Sequence, residues 1–455
     1  MARIWAKALE LAVSVGLLLF ALYHSIPLLH RVRPLFPAVM AAAVLLMALA
    51  LWRPCRHRAF SAAFCFAALG AGWAAHAQVE RSRAEVLAAD PAALGRLGRH
   101  VVVGFERFED LVPLVERGAV GGIFLAPRNV RGKSIEEIAR RIAYLQAIQA
   151  DAGRPPLLVM ADQEGGSVSR LSPPLPYLPT IAQAVSSTQD EAGRIELAGA
   201  FGTTQGEGLA AMGVNVNLGP VVDLPDGGTS ALVDPYSRIA TRAVSVDPQE
   251  AARLAAAYAR GLEGQGVRAT FKHFPGLGRA RADTHFFRTE LDAPLSQLEV
   301  SDWVPYREAL AGTQSLVMVG HVVVSAVDPE RVATLSPLVV DGVLRSRLGH
   351  AGLVITDDLC MRPITGGPGG LRAAGALALS AGVDLLLVSY DADQYWEVMG
   401  GLLEADAQGR LDRAKLSQSE ARLSAPRAAP ETEQRGEEGE GEGAPEEAGP
   451  YEGQG

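Results

Sequence analysis

The fold class this sequence predicts is α/β: a (β/α)8 TIM-type barrel preceded by an N-terminal transmembrane region. Three observations predict it. Eight short apolar runs rich in β-branched residues recur after Leu97, helix-like stretches separate them, and polar residues collect just past the ends of the runs. A doubly wound open sheet is the alternative with the same alternation.

The N-terminal region comes first. Residues 1–80 hold three apolar stretches, Leu9–Leu29, Phe36–Trp52 and Phe60–His76. The first approaches the ~20 residues that cross a bilayer, and the other two lie near the short limit of ~17. A cleaved signal peptide, with an apolar core of ~7–15 residues and no further apolar segments behind it, is the weaker reading. If all three span, Arg3, Lys7, Arg53, Arg56 and Arg58 share one side and Arg31 and Arg33 the other. Basic residues favour the cytoplasm, so the large domain is then expected outside, periplasmic or extracellular. If two span, it returns to the cytoplasm. His24, Pro27 and His76 read as interfacial or kink residues.

The body, residues 92–425, supplies the eight runs: His100–Phe105, Val120–Leu125, Pro156–Ala161, Val214–Leu218, Ala269–Lys272, Ser315–Val319, Leu353–Thr356 and Val383–Val388. They lack the strict alternation of a half-exposed strand, which suits strands buried on both faces. Helix-like stretches such as Ile135–Ala150 and Gln249–Glu263 lie between them. Gly213, Gly352 and Gly382 introduce three of the runs, where a helix stops and the chain turns. Asp162, Asn217, Lys272, His273, His321, Asp357 and Ser389 all fall at or just past a run's C-terminal end, where a barrel assembles its site.

The end of the chain is different. Residues 426–455 carry nine glutamates against Arg427 and Arg435, so −7 of the formal −9 charge sits in a Gly/Glu/Pro-rich tail that reads as disordered. The remainder is close to neutral, which argues against a nucleic-acid partner. Cys55, Cys65 and Cys360 have no metal-ligand or disulfide spacing, and no metal or cofactor is expected.

Four segments carry candidate chemistry. Asp162-Gln163-Glu164-Gly165-Gly166, with Arg170 beyond, places a carboxylate where it can accept sugar hydroxyls; a surface loop with an Arg–Asp pair is the plainer reading. Lys272-His273 precede a tight Pro275-Gly276-Leu277-Gly278 turn, and both can face the cleft. In Asp283-Thr284-His285, a carboxylate that holds the imidazole would fit it to give and take a proton. Asp357 emerges from a buried apolar strand, where a carboxylate is costly unless paired or functional. Its neighbour Asp358 is expected to organise the loop, and Cys360 to pack.

Taken together, GFERFEDL, VGGIFLAPRN, ADQEGGSVSRL, GVNVNLGPVVDL, ATRAVSVDP, ATFKHFPGLGRARADTH, LVMVGHVVV, VITDDLCM and AGVDLLLV resemble family 3 glycoside hydrolases, specifically their short bacterial β-N-acetylglucosaminidase branch. The resemblance implies a retaining mechanism through a covalent glycosyl-enzyme on a carbohydrate substrate. Asp357 matches the nucleophile, and Asp283 and His285 match a dyad in which His is the acid/base and Asp holds it. Asp162, Arg170, Arg242, Lys272 and His273 match residues that hold N-acetylglucosamine, and His321 matches a further active-site position. Other branches take their acid/base from a following sandwich domain, which the sequence after Val388 does not resemble.

The chain departs from the family in the catalytic loop, at Leu277, Arg279, Ala280 and Arg281. The added positive charge there suits either an acidic aglycone or a solvated loop. The activity expected is exo-β-N-acetylglucosaminidase on peptidoglycan fragments or similar glycans. A β-glycosidase of other sugar preference, a phosphorylase and a non-catalytic sugar-binding scaffold are the alternatives.

Overall fold

The computed structural model describes residues 2–23, 35–52, 56–225 and 236–425. The Arg31/Arg33 linker, His24, Pro27, Arg53, Cys55 and the acidic tail lie outside the described residues.

The eight runs all form strands, seven trimmed to their paired cores and the fifth extended past Lys272 to Phe274: β1 (Val101–Gly104), β2 (Gly122–Leu125), β3 (Leu158–Ala161), β4 (Val216–Asn217), β5 (Thr270–Phe274), β6 (Leu316–Val319), β7 (Val354–Thr356) and β8 (Leu386–Val388). One parallel sheet runs β8-β1-β2-β3-β4, with Val101 opposite Leu386, Val102 opposite Gly122, Gly122 opposite Leu158 and Met160 opposite Val216. A second runs β7-β6-β5, with Val354 opposite Val317 and Thr270 opposite Leu316. Parallel bridges Val216–Arg268 and Val221–Lys272 join β4 to β5, and Ile355–Leu385 joins β7 to the entry of β8.

Parallel strands need crossovers, and helices supply them. Two of these are Ile135–Asp151, started by Ser134, whose side chain accepts from the Glu137 N–H, and Pro248–Glu263, started by Asp247, which accepts from the Glu250 N–H. The strands are buried on both faces for this reason. Val102, Phe124, Met160, Val216, Met318, Ile355 and Leu387 pack together on one side of the sheets. Val101, Val103, Ile123, Val159, Val317 and Val388 face the helices on the other. Gly104 has a steric cause: a Cβ there would lie 2.0 Å from the Ser389 carbonyl oxygen.

Ahead of the body stand three helices, α1 (Ala2–Tyr23), α2 (Phe36–Trp52) and α3 (Arg56–Leu87). The third apolar stretch, expected to end near His76, belongs to a continuous helix of 32 residues. The part of α3 from His57 is long and apolar enough to cross a membrane, and Phe36–Ala50 is apolar but shorter. Leu17, Ala21, Ala43, Cys65 and Ala68 pack the three helices together.

Candidate active site

The segments after β3, β5 and β7 converge at one end of the strands. After β3, Gln163–Gly165 pairs with Val168–Ser169 as a bulged antiparallel hairpin. Its turn needs the glycine: Gly165 has φ +93°, and a Cβ there would lie 2.0 Å from the Pro179 carbonyl oxygen. The hairpin directs Glu164 inward, and Asn217 beneath it both accepts from the Gln163 N–H and donates to the Gln163 carbonyl. Asn217 is therefore a support for the hairpin.

Glu164 is the centre of a buried charge cluster. Its carboxylate accepts from Arg242 Nε at 2.8 Å and Nη2 at 2.6 Å, and its Oε1 lies 2.8 Å from Lys272 Nζ. Lys272 also donates to Asp162 Oδ1 at 2.7 Å, and Arg242 to the Ser237 carbonyl at 2.7 Å. Burial alone would raise the Glu164 pKa; Arg242 and Lys272 outweigh it and hold the carboxyl at about 2. The same contacts raise Lys272 and Arg242 against their own burial. Four groups with zero net formal charge thus present fixed donors and a partly exposed Asp162 to the cleft. The Asp162 partner is Lys272; Arg170 is exposed and meets Asp162 through its backbone N–H, which donates to the Asp162 carbonyl at 3.1 Å.

The pairing of β5 with β6 shifts register between Phe271 and Phe274, where Lys272 and His273 lie. Buried His273 donates from Nδ1 to Asp223 Oδ2 at 2.8 Å, and the His273 and Leu277 N–H groups donate to Asp223 Oδ1. Gly278 follows where nothing larger fits, since a Cβ would lie 1.8 Å from the Leu224 carbonyl oxygen. Leu277 is buried, Arg279 donates to buried Asp302 at 2.9 Å, and Arg281 is exposed. Arg279 is thereby committed to the loop's own base.

The Asp283/His285 pair is assembled. His285 Nδ1 lies 2.8 Å from Asp283 Oδ1, and the His285 N–H donates to the same oxygen at 2.9 Å. Three more donors converge on Asp283: the Tyr236 and Ser237 N–H groups and Ser237 Oγ, at 2.9, 3.2 and 3.1 Å. Burial would raise this carboxyl, but the His285 hydrogen bond and charge and the backbone donors bring it to about 2. The Tyr236 ring lies 4.9 Å from the His285 ring, and the partly exposed imidazole turns its Nε2 edge away from Asp283.

Asp357, past β7, is partly exposed and accepts from the Asp358 N–H at 2.8 Å. Its surroundings would raise its pKa through burial, yet the fields of His273, His321 and His285 prevail and lower it. Asp358 plays the organising part expected of it: it accepts from Ser389 Oγ at 2.5 Å, from the Tyr390 N–H at 2.8 Å and from the Cys360 N–H at 2.8 Å. His321 is fully buried, with Nε2 2.9 Å from the Asp358 carbonyl and Nδ1 2.8 Å from Thr334 Oγ1. Burial lowers its pKa, and the carbonyl fixes the proton on Nε2. Both ring nitrogens are occupied, so His321 holds the Asp357–Asp358 turn from below.

Glu164, Asp223, Tyr236 and Ser237 are site residues that sequence reasoning did not single out. Asp223 could have been found by the rule that found the others, a polar residue closing an apolar run. Ser237 and Tyr236 carry no comparable signal. Among the described residues no cluster of His, Cys, Asp and Glu has the geometry to hold a metal ion.

A family profile described as "Glycosyl hydrolase family 3 N terminal domain" matches residues 95–425. The chain is similar to a beta-hexosaminidase of Xylella fastidiosa (strain M12), 33% identical over 307 residues, which are 67% of this chain and 85% of the relative. A beta-hexosaminidase of Stenotrophomonas maltophilia (strain R551-3) is 34% identical over 279 residues, 61% of this chain and 78% of that one. Among solved structures, a family 3 beta-N-acetylglucosaminidase from Paenibacillus sp. str. FPU-7 superposes with TM-score 0.66 at 31% identity, over 77% of this chain and 64% of that chain. A family 3 glycosyl hydrolase from Mycobacterium smegmatis superposes with TM-score 0.64 at 31% identity, over 75% of this chain and all of that one.

Proposed function

The chain belongs to glycosyl hydrolase family 3, and from that membership we propose that it is a retaining exo-β-N-acetylglucosaminidase, built on a (β/α)8 barrel, that removes terminal β-linked N-acetylglucosamine from glycans such as peptidoglycan fragments. The edge-to-edge bridges between the two parallel sheets support the barrel. The observation that carries the chemistry is the 2.8 Å contact from Asp283 to His285 Nδ1, in a loop tied to the segment after Asp357 by the Arg362 N–H, which donates to the His285 carbonyl.

In the first step Asp357 attacks the anomeric carbon as an ionised carboxylate. The C1–Asp357 oxygen bond forms, the glycosidic C–O bond breaks, and the departing oxygen takes the Nε2 proton of His285. Asp283, ionised because its carboxyl is held at about 2, stabilises the imidazolium before transfer and keeps Nδ1 protonated after it. In the second step a water attacks C1, gives its proton to the freed Nε2 and releases Asp357. Lys272, Arg242, Asp162, Arg170 and His273 hold the sugar, with Glu164 and Asp223 fixing the donors. His321 acts through Asp358 to position Asp357. We also assign α1–α3 to a membrane, with the catalytic body on the periplasmic or extracellular side.

The test follows the anomeric configuration of the first-formed N-acetylglucosamine by NMR, with an aryl β-N-acetylglucosaminide as substrate. The β-anomer is expected, and Asp357→Ala abolishes turnover. An α-anomer first, or wild-type turnover in Asp357→Ala, overturns the proposal.

A further inference from the structure

The route of α3 fixes how the site sits relative to the N-terminal helices. Its last turns lie along the body: Arg83 stacks over the Trp396 ring at 5.6 Å, Arg372 bridges to Glu85 at 2.8 Å, and Gln78 bonds Glu397. At its end, the Leu87 carbonyl accepts from Arg117. Arg117 closes the helix that returns from β1 to the start of β2, so Leu87 stands at the N-terminal ends of the strands. Upstream, His76 and Val79 share a cavity of about 890 Å³ with Arg362, Thr365 and Asp393, which follow β7 and β8. Between His76 and Leu87 the helix thus descends along the body, and the described helical residues before His76 project past the face where Asp357 opens.

The projecting part has the proportions of a membrane span. From Arg56 to His76 an α-helix rises about 30 Å, the thickness of a hydrocarbon core. α1 and α3 lie parallel, with Glu10 against Arg58 and Ser14 against Cys65, and Gly72 of α3 meets the start of α2 at Phe36. Lys7 and Arg58 therefore belong to the end far from the body, as basic residues on the cytoplasmic side do. Exposed Trp5 and Trp52 lie at that far end and exposed Trp73 at the near one, the placement of interfacial aromatic belts. Phe60, Phe66, Leu45 and Leu19 are exposed between them. From Trp73 to Gln78, the first contact with the body, is about 8 Å of helix rise.

We infer that the active-site face is turned toward the bilayer and that the substrate is a glycan carried by a lipid in the same membrane. The cavity gives such a molecule a covered path: Leu22, Phe36 and Val79 form an apolar wall, Arg362 and Thr365 a polar one. The Arg362 N–H donates to the His285 carbonyl, so the polar wall is continuous with the acid/base loop. A face buried against a membrane admits soluble polymers poorly and membrane-borne sugars directly. The inference rests on the proposed N-acetylglucosaminidase activity and on α1–α3 spanning.

The test uses the full chain in phosphatidylcholine/phosphatidylglycerol vesicles. A β-N-acetylglucosaminyl glycolipid is placed either in the same vesicles or in separate ones, and a soluble aryl β-N-acetylglucosaminide is assayed alongside. Co-residence raises the effective substrate concentration, so cleavage is expected to be roughly tenfold or more faster in the same vesicles. The triple variant Gln78→Ala/Arg83→Ala/Glu85→Ala removes the side-chain contacts that hold the last turns of α3 to the body, without touching the site. It is expected to keep the soluble-substrate rate and lose most of the same-vesicle advantage. Equal rates in the two arrangements, or an advantage that survives undocking, overturns the inference and leaves the activity standing. Failure on the soluble substrate overturns the activity itself, and a chain that does not float with the vesicles overturns the span.

Discussion

Replacing Glu164 with Gln removes the charge at the centre of the buried cluster while keeping the side chain's shape. In the wild type Glu164 accepts two hydrogen bonds from Arg242 and lies 2.8 Å from Lys272, and all three side chains are nearly buried. Breaking a buried pair by removing one partner costs about 3–5 kcal/mol, because the surviving charge stays desolvated. Here the two cations fare differently. Lys272 keeps Asp162 at 2.7 Å, whereas Arg242 retains the Ser237 carbonyl in place of a carboxylate. The expected loss is therefore at the lower end, about 3 kcal/mol of unfolding free energy. Denaturant unfolding measures it, with the slope unchanged and the midpoint lowered. Because Lys272 and Arg242 are assigned to hold the sugar, kcat/KM on an aryl β-N-acetylglucosaminide should fall by about 10²-fold, mainly through KM. A variant whose unfolding free energy changes by less than about 0.5 kcal/mol, with KM unchanged, refutes the argument that Glu164 clamps the two cations.

His285→Ala should discriminate by leaving group: about 10²–10⁴-fold loss on an alkyl or sugar aglycone, far less in the glycosylation step of a nitrophenyl one. Equal losses in pre-steady-state measurements would remove His285 from the acid role. In His273→Gln the acid limb of kcat/KM should move to higher pH. Asp357 must be ionised to attack, His273 helps lower its pKa, and without that field the carboxylate protonates earlier as pH falls. A limb that stays in place or moves down contradicts this. The Glu164 cluster contributes stability fully above the ordinary Glu value of 4.5 and loses it as pH falls toward about 2, so in the wild type an acid-unfolding profile should show a component in that window that Glu164→Gln lacks. Gly278→Ala must displace the Leu224 carbonyl, at a cost of about 1–3 kcal/mol or more visible in a thermal melt; an unchanged melting temperature would show that the turn yields freely.

The strands were legible because burial on both faces leaves mostly apolar, β-branched residues to fill them, and every predicted run overlaps one. Asp357, Lys272, His273 and Asp162 were legible for a related reason: a polar residue that closes an apolar run is visible against it. The Asp283/His285 pair was suggestive from its spacing, but whether the two side chains meet depends on Tyr236 and Ser237, 46 or more positions away from the residues they bind. The positive loop at Arg279–Arg281 left an acidic aglycone and a solvated loop open. Buried Asp302, which no local pattern ties to Arg279, engages the first of these arginines, and the second is exposed.

By itself the sequence determined the alternation of strands and helices, the polar rim at the strand ends and the family. All of these depend on local periodicity or contiguous motifs. Only the tertiary structure decided that Glu164 joins Arg242 to Lys272, that Asp223 holds His273, that His321 supports the Asp357–Asp358 turn, and that the last turns of α3 dock on Arg372, Trp396 and Glu397. The physical reason is the same in each case: hydrogen bonds and ion pairs depend on distances of a few ångströms, and the chain brings these partners together only after it has closed loops of tens to hundreds of residues.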